Sequence, residues 1–230
     1  MLNISLGKFK SQYLRKMNQV IYYSVNTNGE KEIENLINNF LVKKDSFIFE
    51  SVEKGIIKGR YTIFGSNPDK IWEFDKNNCK LFYKGKKKIL KGTPKNNIEK
   101  IIEDFNFEIP KELPPISSIL SGYFSYDVIR YIEKIPNNTK NDLKIPDARI
   151  LRPRNIIIHD NFDKKLYFIV NIFNDEKINN FDKKLLKITK QIEEMVFLSN
   201  YNSTVANKNR VKLSKIKSNI SKNRFLKNVK

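Results

Sequence analysis

With 230 residues, 40% of them hydrophobic and 12% aromatic, the chain has the length and apolar content to bury a core, which excludes wholesale disorder despite a 30% charged fraction. A formal net charge of +19 invites a polyanion partner, but the surplus lysine runs with surplus Asn, Ile and Phe along the whole chain, as a compositional bias does. One cysteine, Cys79, and one histidine, His159, exclude an intramolecular disulfide and a Cys/His zinc site, and no window reaches the roughly 18 apolar residues that span a bilayer.

Residues 6–17 carry helical apolar spacing, and Val20 to Val25 read as a strand closed by the turn pair Asn28-Gly29. Helical period returns through Ile33, Leu36, Ile37, Phe40 and Leu41 and leads into a strand over 47–52, so a β-α-β opening is expected. Between 60 and 91, apolar runs at 61–64, 71–74, 80–83 and 88–91 alternate with turn signals at Asn67-Pro68, 75–78 and Gly85. Such short spacing permits hairpins and leaves no room for crossover helices, which predicts an antiparallel sheet.

Residues 94–105 regain helical period, with Pro94 where a first turn tolerates it. A proline-rich connector, 110–115, is expected to separate two halves. Beyond it, 119–127 reads as a strand turning into a short helix at 128–133. Strands at 150–159 and 166–173 are joined by the turn Asp160-Asn161-Phe162-Asp163, and 178–198 is the longest helical pattern. Asn, Ser and Lys then mark a linker over 199–212. Strands and helices in mixed order with short connections predict an α+β fold, a largely antiparallel sheet with flanking helices.

No nucleophile stands beside a base: His159 lies in an apolar run before a turn, where a structural role is expected, and nothing around Cys79 would lower a thiol pKa. Phosphate-binding glycine loops, paired-carboxylate motifs and metal-ligand clusters are not found. The Glu50-Ser51 pair differs, because it interrupts both faces of an apolar strand at one end. It either marks a solvated strand end or offers a carboxylate and a hydroxyl to an ammonium group. Arg60, opening the next strand, either grips a carboxylate through its two-pronged donor or pairs with Glu50. Further on, Gly122 allows close backbone approach, Asp127 is placed to cap a helix from Val128, and Arg130 with Glu133 lies on that helix's polar side, a structural set.

Phe49-Glu50-Ser51, followed by the run Gly59 to Gly65, resembles the Leu-Glu-Ser and Gly-Arg-Tyr-Ser-Phe-Ile-Gly patterns of anthranilate synthase component I. The stretch Gly122 to Glu133 with Pro136 is similar to that family's Gly-Tyr-x-x-Tyr-Asp-x-x-Arg-Tyr-x-Glu and following Pro, and Leu143 to Asp147 and 155–171 extend the likeness over most of 20–171. Lys58 stands where the family often has Trp, and Thr62 where Ser is usual.

The resemblance implies the N-terminal region of that fold, shared with aminodeoxychorismate synthase: a regulatory and scaffolding domain over 1–198, a linker over 199–212, and the start of a truncated chorismate-binding domain over 213–230. It implies an enzyme that turns chorismate and ammonia into anthranilate and pyruvate, with ammonia from a glutamine amidotransferase component (component II) and Mg²⁺ held by residues outside this chain. L-Tryptophan is the implied feedback inhibitor, with Ser51, Glu50 and Arg60 as this chain's share of its site. No catalytic residue is implied here, chorismate contacts belong to the missing domain, and the chain is expected to be cytoplasmic and inactive alone. Component I of aminodeoxychorismate synthase is the alternative within the superfamily. A basic nucleic-acid-binding module is the alternative from another class, motivated by the net charge and by residues 206–230, which hold no Asp or Glu. Neither a nucleic acid nor a membrane is the expected partner.

Overall fold

The computed structural model describes residues 2–27, 29–50, 59–76, 78–136, 143–202 and 218–229. In chain order its elements are α1 (Leu6–Leu14), β1 (Gln19–Asn26), α2 (Glu30–Asn39), β2 (Phe47–Phe49), β3 (Tyr61–Asp75), β4 (Asn78–Tyr83), β5 (Lys86–Leu90), α3 (Pro94–Glu103), β6 (Ser121–Phe124), a 3-10 helix (Tyr126–Tyr131), β7 (Ala148–Asp160), β8 (Lys165–Ile172), α4 (Phe181–Asn200) and α5 (Lys222–Val229). Among the described residues, eight strands form one sheet and every pairing is antiparallel, the expected α+β arrangement.

Two long strands carry the sheet. β3 and β7 pair from Tyr61 opposite Asp160 to Phe74 opposite Ala148. The first half of β3 takes β2 on its other side and the second half takes β4, which is followed by β5. Likewise β7 takes β6 at its start and β8, then β1, at its end. The exchange falls where Pro68 faces Pro153, and between Pro68 and Lys70 one extra residue, Asp69, bulges from β3. Sequence reading places a turn at Asn67-Pro68. The structure instead absorbs both residues in one continuous strand, because Asn67 takes a left-handed φ of 54° and the bulge removes the need for a proline donor.

Two further expectations change. β1 and β2 flank α2 in sequence, but β1 pairs with β8 and β2 with β3, so the opening is not a β-α-β unit of neighbouring strands. Nor does the 110–115 connector separate the chain into halves. β3 before it and β7 after it are paired, and Leu113 is buried against the face bearing Ile156, Ile158 and Ile169.

The opposite face of that half-sheet is covered by α1, α2 and α4. There Phe9, Phe40, Phe64 and Phe168 are wholly buried, each worth roughly 2–3 kcal/mol relative to exposure. A third cluster, Trp72, Phe74, Cys79 and Ile150, lies where Ile101 of α3 packs on the other half-sheet. Side-chain caps fix the helix starts: the Ser5, Thr93 and Asn180 oxygens accept from the Lys8, Asn96 and Lys183 amides at 3.3, 3.2 and 2.8 Å. At the end of α4, Asn35 Nδ2 donates to the Ser199 carbonyl at 2.8 Å and ties α2 to it. α5 lies within 213–230, and Phe225, Leu226 and Val229 on it are exposed.

Candidate functional site

β2 ends at Phe49, and Glu50 follows it as an exposed residue. The strand is seated by a close contact: a Cβ on Gly65, which faces Phe47 in the ladder, would lie 2.1 Å from the Phe47 ring, so a larger residue there must displace that ring. Ile48, Phe49, Glu50, Tyr61 and Ile63 line an open depression of about 410 Å³. Ser51 lies outside the described residues.

Arg60 does not reach toward Glu50 as its ion-pair partner. Its Nε donates to both carboxylate oxygens of Asp160 at 2.9 and 3.0 Å, and its Nη2 donates to Asp160 at 2.6 Å and to Asp163 at 2.8 Å. The guanidinium also sits 5.0 Å from the Tyr61 ring centroid and 5.2 Å from that of Phe162. Asp160 is buried, and burial alone would raise its pKa. The Arg60 fork and the amides of Phe162 and Asp163 outweigh that and hold the carboxyl below its ordinary value. Of the three predicted ligands, the structure therefore sets Glu50 at an aromatic-lined depression and commits Arg60 to the β7–β8 turn.

A more enclosed cleft of about 520 Å³ lies between α3 and strands β3 and β4, at residues that no motif joined. Trp72 and Leu81 line it from the sheet, and Ile101 and Lys100 from α3. One end is closed by an ion network grown from the bulge. Arg152 Nε and Nη2 donate to Asp69 at 2.8 and 2.6 Å, Arg152 also holds Asp175 at 3.0 and 3.1 Å, and Lys70 reaches Asp175 at 2.5 Å. Arg154 extends the network to Glu176 at 2.7 Å, where Lys184 arrives at 2.6 Å. The Arg152 guanidinium lies 3.8 Å from the Phe173 ring centroid. Burial opposes ionisation of Asp175 and Glu176, and their cationic partners reverse it, so both pKa values fall. The sequence signals, Arg152-Pro153-Arg154 and Asp175-Glu176, are each ordinary alone, and only strand pairing brings them to Asp69.

A sequence model of the family described as chorismate binding enzyme matches residues 47–230, from β2 onward. The chain belongs to the chorismate binding enzyme family. It is 29% identical over 161 residues to anthranilate synthase component 1 of Cereibacter sphaeroides, covering 68% of this chain and 32% of that protein. It is 30% identical over 189 residues to anthranilate synthase component 1 of Acetivibrio thermocellus, covering 80% and 38%. The chain thus spans about a third of the length of the curated relatives it matches. The crystal structure of anthranilate synthase component I from Streptococcus pneumoniae TIGR4 overlaps 66% of this chain and 32% of that one, with a TM-score of 0.46 at 18% identity.

Within this chorismate binding family member, the remaining motif is structural. A Cβ on Gly122 would fall 1.9 Å from the Arg149 carbonyl oxygen, the close approach expected of that glycine. Asp127 does not cap a helix from Val128. The Ncap position is Ser125, and the Asp127 carboxylate instead accepts from Arg130 Nε at 2.9 Å, while Arg130 Nη1 donates to the Ile135 and Pro136 carbonyls. Tyr131 donates its hydroxyl to Asp147 at 2.8 Å. His159 is buried with neither ring nitrogen hydrogen-bonded, and burial pushes the Cys79 thiol up to about 12, so neither offers a catalytic base or nucleophile. Among the described residues, no group of three or more His, Cys, Asp and Glu side chains could hold a metal ion, and no helix is long and apolar enough to cross a membrane.

Proposed function

We propose that the chain is the regulatory and scaffolding portion of an anthranilate synthase component I. The observation that carries this reading is the chorismate binding family match over 47–230, joined to relatives that bear that enzyme's name. The assembled enzyme would take ammonia from a glutamine amidotransferase component, add it to chorismate and expel pyruvate to leave anthranilate. Mg²⁺ and the reacting groups are proposed to belong to regions of the enzyme outside the described residues.

L-Tryptophan is the proposed inhibitor. Its ammonium would be received by Glu50, which follows β2 and has an aromatic floor from Phe49 and Tyr61 beside it, together with Ser51. Arg60, at the start of β3, is held by Asp160 and Asp163, which offset its charge, so the ammonium contacts are assigned to Glu50 and Ser51.

The test is anthranilate formation by the complete enzyme carrying this chain, followed by its fluorescence with chorismate and ammonium as substrates. Added L-tryptophan should inhibit it, and Ser51→Leu should remove the inhibition while turnover persists. Failure to form anthranilate overturns the assignment of activity. Inhibition that survives Ser51→Leu overturns the assignment of the effector site.

A further inference from the structure

The cleft between α3 and the β3–β4 strands lies apart from the proposed tryptophan site, yet it has the size of a small-molecule pocket, about 520 Å³. Its chemistry is divided. Trp72, Leu81, Leu90 and Ile101 give it an apolar, aromatic interior, while its charged lining comprises four cations (Lys70, Lys91, Lys100 and Arg152) against two carboxylates (Asp104 and Asp175).

The two carboxylates are not equivalent. Asp175 is consumed by Arg152 and Lys70. That closes the inner wall as a neutralised, hydrogen-bonded surface with little left to offer a ligand. Lys91 and Lys100 are exposed, and among the described residues neither enters an ion pair. Both are anchored by backbone. Asn97 is buried on α3 and donates through Nδ2 to the Lys91 carbonyl at 3.2 Å and to the Thr93 carbonyl at 3.0 Å, pinning the loop that presents Lys91 to the helix that presents Lys100. Asn97, Lys100, Ile101 and Asp104 recur at helical spacing on the α3 face that lines the cleft, beside the Ile98 and Ile101 stripe that packs on the sheet.

We propose that this cleft binds a small aromatic carboxylate, its ring against Trp72 and Leu81 and its anionic group received by Lys91 and Lys100. The ring is placed by the apolar interior, which a hydrophilic anion such as acetate cannot use. The single negative charge is set by two free ammonium groups offset by Asp104, and the cleft lacks a glycine loop to cradle a phosphate. The inference is independent of the anthranilate synthase reading, because its test needs neither chorismate nor turnover.

Trp72 is the only tryptophan of the chain and lines the cleft, so its fluorescence reports occupancy directly. Benzoate titrated into the 230-residue chain should change that emission saturably. Benzamide, equal in shape but uncharged, and the variant K91Q/K100Q should each bind about tenfold more weakly, as expected for two solvent-edge charge contacts. Lys95→Gln, on the same helix but outside the cleft, should leave the affinity unchanged. Circular dichroism identical to the parent would establish that the double variant folds, as two exposed Lys→Gln changes should allow. A linear, non-saturating change, equal binding of benzamide, or undiminished binding by folded K91Q/K100Q would overturn the proposal. Should the double variant not fold, Lys100→Gln alone must weaken benzoate binding severalfold, and unchanged affinity there overturns it equally.

Discussion

Pro68 of β3 lies directly opposite Pro153 of β7, and at this pair both strands exchange their outer neighbours. Neither residue has an N–H to give a ladder, so the sheet can change partners there at least cost in lost hydrogen bonds. The residue thrown out of register beside them, Asp69, becomes the centre of the buried ion network.

That network sets the first expectation. Asp69, Arg152 and Arg154 side chains are only 8%, 9% and 14% exposed, so Asp69→Ala takes the shared carboxylate from two buried guanidiniums and leaves Arg152 with Asp175 and Arg154 with Glu176 alone. We expect a loss of about 3 kcal/mol in urea denaturation, the usual cost of removing one partner from a buried pair. Glu99→Ala, which breaks the exposed Lys95–Glu99 pair on α3, should change stability by no more than about 0.5 kcal/mol. Equal effects from the two variants would show that the bulge network contributes no more than a surface contact.

Two glycines should respond in opposite directions. Gly122→Ala puts a methyl against the Arg149 carbonyl across a strand pair that cannot separate, and should cost about 2 kcal/mol or more. Gly7→Ala meets nothing within 4 Å on α1 and should stabilise by roughly 0.5 kcal/mol by restricting the unfolded chain. Thermal melts of the two variants test the pair together.

His159 should make stability depend on mild acid. It is 1% exposed beneath Gly29, neither ring nitrogen is hydrogen-bonded, and burial first, then Lys164, lowers its pKa against smaller opposing effects of Asp160 and Glu32. The unfolded chain then takes up a proton near 6.5 that the folded chain refuses, so stability falls as pH drops below about 6.5 and levels off beneath the folded value. His159→Leu should flatten that slope in urea titrations between pH 5 and 7. An unchanged slope would mean that other groups carry it.

Arg60→Leu should uncover a different pH range. It leaves the Asp160 carboxylate buried with two backbone donors but no counter-charge, at an expected cost of about 2–3 kcal/mol near neutrality. Because the folded pKa of Asp160 lies below 3.8, the parent keeps this contribution above that value and loses it as pH falls through the folded pKa. The stability gap between parent and variant should therefore narrow in strong acid, which paired acid titrations followed by circular dichroism would reveal.

Much of this architecture resides in local pattern. The alternation of Ile156, Ile157 and Ile158 toward opposite faces, the helical stripes of α2 and α3, the Thr93-Pro94 helix start and the turn at 160–163 depend on neighbours a few residues away, so the sequence alone determined most of the elements and the antiparallel class. The run from Phe49 to Gly65 likewise pointed to the family without help from the fold. Partner choice was another matter. Arg60 had Glu50 ten residues away and yet binds Asp160, a hundred residues on, because β3 and β7 pair in the register that sets their ends together. Asn67-Pro68 has the composition of a turn, and only the pairing with β7, in which Pro68 faces Pro153 and Asp69 bulges, keeps it within a continuous strand. The cleft beside Trp72 gathers Lys70, Lys100, Arg152 and Asp175 from four separate segments, each ordinary where it stands. Local periodicity decides which way a side chain points. Which charge it meets is decided by strand register, a property of the whole sheet.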